Sequence, residues 1–149
     1  MSALATTFAT GHVGLNVADL DRSIDFYVSV FGWDVKDRGD GYAFLGDDER
    51  LVLTLWQQSS GSFPTDQPGL HHLSFQVASI DEVLAAEERV RASGLRLYHD
   101  GVVPHREGAS SGGIFFEDPD GIRLEIYTSA GAEAHGPAPT GDAPTCGFF

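Results

Sequence analysis

The sequence predicts an α+β fold built from two copies of one β-α-β-β-β module. The segment that begins at His12 has a counterpart that begins at His72, in the same hydrophobic register. Each segment alternates apolar and polar residues, as a strand does, and then changes to helical spacing. A repeat on this scale indicates a symmetric architecture. The gap-free matches pair His12, Leu15, Val17, Leu20 and Ile24 with His72, Phe75, Val77, Ile80 and Leu84, and pair Phe44, Leu51, Leu53 and Leu55 with Phe115, Ile122, Leu124 and Ile126.

The first module begins with a strand in which Val13, Leu15 and Val17 share one face. The helix that follows is introduced by Asp19 and stops at Gly32. Three shorter strands are expected near residues 33–37, 41–46 and 50–57.

The second module repeats this order with clearer helix signals. Ser79 and Glu82 have the spacing of a capping box, and Gly94 is a typical helix-terminating residue. Strands are expected near residues 95–99, 112–117 and 122–128, with the turn DPDG before the last one.

The periodic region predicts one domain, and both ends of the chain lack periodicity. The Gly-, Ala- and Pro-rich C-terminal end is typical of a flexible tail, although Phe148 and Phe149 are apolar enough to act as a latch. The predicted division is a flexible leader at 1–10, a single domain at 11–128 (module 1 about 11–57, linker 58–69, module 2 about 70–128) and a flexible tail at 129–149.

Composition excludes several classes of protein. The net charge is −13, which argues against nucleic acid or an anionic membrane surface as a partner. No apolar run approaches the roughly 20 residues of a membrane span, and the first residues lack the pattern of a signal peptide. The single cysteine, Cys146, excludes an internal disulfide framework and favours a cytoplasmic protein.

The polar faces of the predicted strands gather the chemically useful side chains. His12 and His72 lie opposite the apolar residues of the two opening strands, and Glu125 lies on the polar face of a closing strand. If the apolar faces pack on the helices, the other faces line a cup that receives all three. Two imidazoles and one carboxylate suit a divalent metal. Other side chains on these polar faces are expected to line a substrate pocket: Thr54, Trp56, Gln76, Arg123 and Tyr127.

The segments GHVGLNVADLDRSIDFYVSVFGW, GLHHLSFQV and FFEDPDGIRLEIY resemble the vicinal oxygen chelate superfamily. This superfamily includes glyoxalase I, extradiol dioxygenases, fosfomycin-resistance enzymes and bleomycin-binding proteins. The resemblance implies paired βαβββ modules whose mixed sheets form a cup around a divalent metal, with His12, His72 and Glu125 as ligands. It also implies a small-molecule substrate and is compatible with a homodimer, sometimes formed by exchange of modules.

The residue at the position symmetry-related to Glu125 favours some reactions of the superfamily over others. Glyoxalase I places a metal ligand there, whereas this chain has Thr54, a poor ligand. Two histidines and one carboxylate with open positions suit Fe(II) oxygenases. The sequence therefore favours a dioxygenase-like oxidoreductase with Fe(II), while Mn(II), Zn(II), Ni(II) and Co(II) remain compatible.

The sequence departs from the pattern of extradiol dioxygenases, so other functions are also compatible with it. Phe115 stands where those enzymes usually have a tyrosine, so the candidate catalytic groups are His105 and Tyr127. The alternatives are a metal-independent drug-binding protein of the bleomycin type and a glyoxalase- or isomerase-type lyase.

Overall fold

The computed structural model of the protein describes residues 5–149, so the first four residues of the predicted leader lie outside the described residues. Module 1 contains β1, α1 and three further strands, and module 2 repeats that order before a C-terminal segment. The bounds are β1 Val13–Asn16, α1 Leu20–Phe31, β2 Asp34–Gly39, β3 Tyr42–Gly46, β4 Leu51–Trp56, β5 Leu73–Gln76, α2 Ile80–Ser93, β6 Val103–Pro104, β7 Gly112–Glu117 and β8 Arg123–Thr128.

Each module forms its own four-stranded mixed sheet. The strand orders are β1-β4-β3-β2 and β5-β8-β7-β6, so the two sheets have the same topology. The opening strand of each module pairs in parallel with the closing strand, and the remaining neighbours are antiparallel. The predicted α+β fold with two βαβββ modules is thus confirmed.

Local sequence signals set the ends of both helices. The Asp19 side chain accepts a hydrogen bond from the Arg22 N–H at the start of α1, and α1 ends at Gly32 with a φ of 72°. Ser79 and Glu82 form the reciprocal capping box of α2. Glycine suits the left-handed backbone at the end of α1 because it has no Cβ.

The apolar faces of both sheets pack with α1 and α2 into one hydrophobic core. Leu53 and Leu55 of β4 and Leu124 and Ile126 of β8 are fully or almost fully buried. Because strand side chains alternate, the residues between them face away from the helices. We call that second surface the open face of each sheet.

Helix α1 also anchors a turn of module 2. The Tyr27 hydroxyl donates a 2.7 Å hydrogen bond to Asp118 Oδ2, and Arg22 Nη2 lies 2.9 Å from Asp120 Oδ1. Both acceptors belong to the turn between β7 and β8. The relative placement of the two modules therefore depends on polar contacts as well as on the core.

One predicted strand lies elsewhere in the chain. The sequence indicates a strand near 95–99, but only Leu97 makes an isolated bridge there, to Phe116, and β6 lies at Val103–Pro104. His99 and Asp100 both have a φ of 58°, a left-handed backbone that cannot continue a strand.

The C-terminal segment, predicted as a flexible tail, lies against module 2. Ala132, Ala138 and Thr145 are buried, and the Glu107 N–H donates a hydrogen bond to the Gly141 carbonyl. The segment therefore has a docked arrangement, and its flexibility stays a prediction. Among residues 5–149, no helix combines the length and apolar character needed to cross a membrane.

Candidate metal centre

The parallel pairing of β5 with β8 brings His72 to Glu125. Leu73 pairs with Leu124 and Ser74 pairs with Glu125, so the residue just before β5 lies level with the start of β8 and diagonal to Glu125. His72 Nε2 is 3.2 Å from Glu125 Oε1 on the open face of module 2. Two of the three predicted metal ligands thus meet within one chain.

A thiol completes a group of three donors at this position. One donor atom each from His72, Glu125 and Cys146 lie within 4.8 Å of one another. Ligand atoms that are about 2.0–2.3 Å from a tetrahedral ion lie about 3.3–3.7 Å apart, so three donors within 4.8 Å of one another could close on one ion. Imidazole, carboxylate and thiolate are all established ligands of divalent transition metals. The residues present therefore fit a divalent metal.

His105 holds the other oxygen of the Glu125 carboxylate. Its Nε2 lies 2.5 Å from Glu125 Oε2, and its Nδ1 lies 3.0 Å from Ser111 Oγ. Because an ionised carboxylate only accepts, Nε2 carries the proton in this contact. His105 thereby fixes the carboxylate so that Oε1 remains directed at His72.

Burial and hydrogen bonding act on Glu125 in opposite directions. The residue is only 3% exposed, and burial alone would raise the pKa of its carboxyl group. Hydrogen bonds from His105 and His72, with their positive charge when protonated, outweigh burial and lower the pKa of Glu125 to about 2. The carboxylate is therefore ionised across the physiological pH range and can hold a cation.

His71 orients the ring of His72. The Nδ1 atoms of the two rings are 2.8 Å apart, so one of them must donate a proton to the other. When His72 Nε2 is free to bind a metal, its Nδ1 carries the proton and donates it to His71. Such outer hydrogen bonds fix the tautomer and the ring plane of a metal-binding histidine.

The pocket beside these residues has a volume of about 460 Å³ and is lined entirely by module 2 and the C-terminal segment. Gln76 and Tyr127, both predicted as pocket residues, line it, and the Tyr127 hydroxyl lies 3.2 Å from Gln76 Oε1. Arg123 lies outside this lining, with its guanidinium 5.5 Å from the ring centre of Phe149.

Module 1 contributes nothing to this pocket within one chain. His12 is exposed and lies outside the donor group of His72. Thr54 and Trp56 lie on the open face of module 1, where Trp56 Nε1 donates a 3.0 Å hydrogen bond to Thr54 Oγ1. The single chain therefore brings together the module 2 half of the predicted site and leaves the module 1 half separate.

Sequence reasoning did not identify Cys146 as a site residue. It lies in a segment rich in Gly, Ala and Pro, where no periodicity predicts its position. Burial and the nearby charge of Glu125 raise the pKa of its thiol. The only available signal was that Cys146 is the sole cysteine and stands close to the apolar Phe148 and Phe149.

Comparison with known proteins identifies the family of this chain. The profile of the Glyoxalase/Bleomycin resistance protein/Dioxygenase superfamily matches residues 9–126, so the chain belongs to that superfamily. It is 34% identical over 139 residues to a trivalent organoarsenical cleaving enzyme from Bacillus sp. (strain MD1), covering 91% of this chain and 80% of the relative.

One further relative and one solved structure are also similar to this chain. Catechol-2,3-dioxygenase from Bacillus subtilis (strain 168) is 27% identical, and the match covers 78% of this chain but 40% of the dioxygenase. A crystal structure of a glyoxylase/bleomycin resistance protein/dioxygenase domain from Frankia sp. EAN1pec has a TM-score of 0.66 at 28% identity, covering 83% of this chain and 99% of that domain. The named relatives with activities are enzymes, and their activities differ.

Proposed function

We propose that the protein is an Fe(II)-dependent, dioxygenase-like enzyme that binds a small substrate through chelating oxygens. The observation that carries the proposal is the pairing of His72 with an ionised, buried Glu125 on the open face of module 2. With His12 as the third ligand, the set would be two histidines and one carboxylate. A bound Fe(II) would supply adjacent open coordination positions for the substrate and O₂.

The environment of Thr54 supports a three-ligand site over a four-ligand lyase site. Thr54 is 1% exposed, and its hydroxyl accepts the hydrogen bond from Trp56. A hydroxyl buried under an indole ring is badly placed to act as the symmetry mate of Glu125. This leaves positions on the metal open, as an oxygenase requires.

We further propose a homodimer in which module 1 of one copy faces module 2 of the other. The open face of module 1 carries the aromatic cluster of Tyr42, Phe44 and Trp56, whose ring centres are 5.4–5.8 Å apart. The pocket of module 2 has no wall of this kind from its own module 1. Placing the two faces together would bring His12 and Trp56 to His72 and Glu125.

The chain's own residues would position the substrate and move its proton. Gln76 accepts from Tyr127 through its amide oxygen, so its amide nitrogen is available to a substrate oxygen. Phe115 is fully buried at the position expected for a tyrosine and has no hydroxyl to offer. His105, next to Glu125, and Tyr127 both line the pocket and are the two candidates for proton transfer.

Metal analysis followed by an oxygen-uptake assay tests the function. The protein would be loaded anaerobically with Fe(II), Mn(II), Zn(II), Ni(II) or Co(II), and then given O₂ with catechols or a trivalent organoarsenical. O₂ consumption that depends on Fe(II) and substrate is the expected result. Failure to bind any of these ions would refute the proposal, and metal-independent binding of bleomycin-type ligands would instead favour a drug-binding protein. Turnover of the methylglyoxal hemithioacetal without O₂ would favour a lyase.

A complementation experiment tests the shared site. His12→Ala and Glu125→Gln each break both sites of a symmetric dimer, but a mixed dimer contains one site with neither change. Random mixing should therefore restore about a quarter of the wild-type metal content. If each chain held a complete site alone, mixing would restore none.

A further inference from the structure

The last six residues, Pro144–Phe149, lie across the open face of module 2 and are anchored on both sides of Cys146; we call them the C-terminal strap. The Thr145 N–H donates a 2.8 Å hydrogen bond to the His105 carbonyl, and its hydroxyl donates a 2.9 Å bond to the Pro104 carbonyl. Beyond the cysteine, the Phe149 ring lies 5.3 Å from the His72 ring, centre to centre.

The residues that contact the strap also contact the candidate metal ligands, or are those ligands. His105 bonds Glu125 through its side chain and Thr145 through its carbonyl. Phe149 covers His72 on one side and packs edge-on against Phe115, at 5.2 Å between ring centres. Docking of the strap therefore fixes the position of Cys146 relative to both of the other donors.

We propose that Cys146 binds the metal held by His72 and Glu125 before substrate is present. We further propose that the Cys146 thiolate dissociates from the metal when a chelating substrate binds. The proposal rests on the proposed function, because it requires a metal at this site. Its geometric basis is the group of three donor atoms that lie within 4.8 Å of one another.

The displacement follows from the number of coordination positions. On a six-coordinate ion, His12, His72 and Glu125 would leave three positions. A chelating substrate and O₂ together need all three, so a thiolate from the strap would have to leave the one it occupies. The fixed ligands lie in or beside strands β5 and β8, whereas Cys146 belongs to a segment with only short 3₁₀ turns. The strap is therefore the part of the ligand set that can leave without disturbing a sheet.

Cobalt(II) substitution of the protein tests the ligand directly. A thiolate bound to Co(II) gives an intense sulfur-to-metal charge-transfer absorption in the near ultraviolet, and Cys146 is the only cysteine that could produce it. We expect this absorption in the wild-type protein and its loss in Cys146→Ser and Cys146→Ala. Alkylation of Cys146 by iodoacetamide should be at least about tenfold slower with Co(II) bound, because the thiolate that reacts is held by the metal.

The two terminal phenylalanines provide a matched pair of variants. Phe149 packs on His72, whereas Phe148 is 54% exposed. Phe149→Ala should weaken the charge-transfer band and speed alkylation, and Phe148→Ala should leave both unchanged. Adding catechol as the chelating probe should bleach the band and expose Cys146 to alkylation.

The outcomes separate this inference from the proposed function. Co(II) binding without a charge-transfer band, and with unchanged alkylation, would overturn the role of Cys146 while the metal site stands. A band that persists after catechol binds to the metal would overturn the displacement step. If the wild-type protein binds no Co(II), both the proposed function and this inference fail.

Discussion

The two modules share one topology but carry different chemistry at equivalent positions. In module 1 the closing strand presents Thr54, which is covered by Trp56, and in module 2 it presents Glu125, which is bonded to His72 and His105. The opening histidines differ too, because His12 is exposed while His72 lies in the donor group. The two modules therefore share a backbone topology but differ in their side chains, and under the proposed function His72 and Glu125 of module 2 would hold the cation.

The turns before the two closing strands also have the same hydrogen-bond pattern in different surroundings. Asp47 accepts hydrogen bonds from the Glu49 and Arg50 N–H groups, and Asp118 accepts them from the Asp120 and Ile122 N–H groups. Asp47 is exposed, and these bonds lower the pKa of its carboxyl group. Asp118 is buried, and burial raises the pKa of its carboxyl group to about 6 in spite of its hydrogen bonds. The turn aspartate of module 1 thus faces solvent, and the equivalent aspartate of module 2 accepts a buried hydrogen bond from Tyr27.

The largest expected effect is a loss of metal affinity. Substitution of Glu125 should cause it, and substitution of the symmetry-related Thr54 should not. Glu125→Gln removes the anionic ligand and should lower metal affinity by more than about 100-fold, since loss of outer hydrogen bonds alone typically costs 10–100-fold. Thr54→Val keeps the shape of the side chain and should leave metal affinity within about threefold. Isothermal titration with Co(II) measures both. Equal losses in the two variants would contradict the assignment of the cation to module 2.

The next effect compares the two turn aspartates through protein stability. Asp118→Ala leaves the Tyr27 hydroxyl and two backbone N–H groups without a partner in a buried site, which should lower the free energy of unfolding by about 3–5 kcal/mol. Asp47→Ala frees two N–H groups that water can reach, so its effect on the free energy of unfolding should be much smaller. Urea denaturation of both variants measures the contrast. Similar losses would show that burial does not separate the two turns.

Register explains why part of the site could be predicted from sequence. Alternation places His72 and Glu125 on the same side of their strands, and parallel pairing of an opening strand with a closing strand then brings them together. The position of His12 relative to them depends on how the modules pack, through contacts such as Tyr27 with Asp118 that no periodicity reveals. Cys146 reaches the site through the docking of an irregular segment, which leaves no periodic signal in the sequence.

Asp118 should also make stability depend on pH in a direction that Asp47 cannot. The pKa of Asp118 in the folded protein, about 6, lies above the value of 3.8 for an unperturbed aspartate, so folding takes up a proton between these values. Its contribution to stability is fully present below about pH 4 and is lost as the pH rises through 6, by up to about 3 kcal/mol.

Denaturation at pH 4 to 7 of the wild-type protein and Asp118→Asn measures this dependence. The variant should lack that decline with rising pH. Asp47→Asn serves as the control, because the lowered pKa of Asp47 places its effect below pH 4. An identical pH profile in Asp118→Asn and the wild-type protein would show that another group controls stability in this range.

The smallest expected effect separates a residue that positions a ligand from one that binds the metal. His105→Ala removes the hydrogen bond to Glu125 Oε2 but leaves Oε1 and His72 in place, so metal affinity should fall by about 10–100-fold and not be abolished. His99→Ala provides the matched control, because the His99 ring packs on Phe115 and does not contact the carboxylate. Complete loss of metal binding in His105→Ala would mean that His105 is itself a ligand. In that case module 2 alone would supply two histidines and one carboxylate, and the exposed His12 of module 1 would not be needed to complete the set.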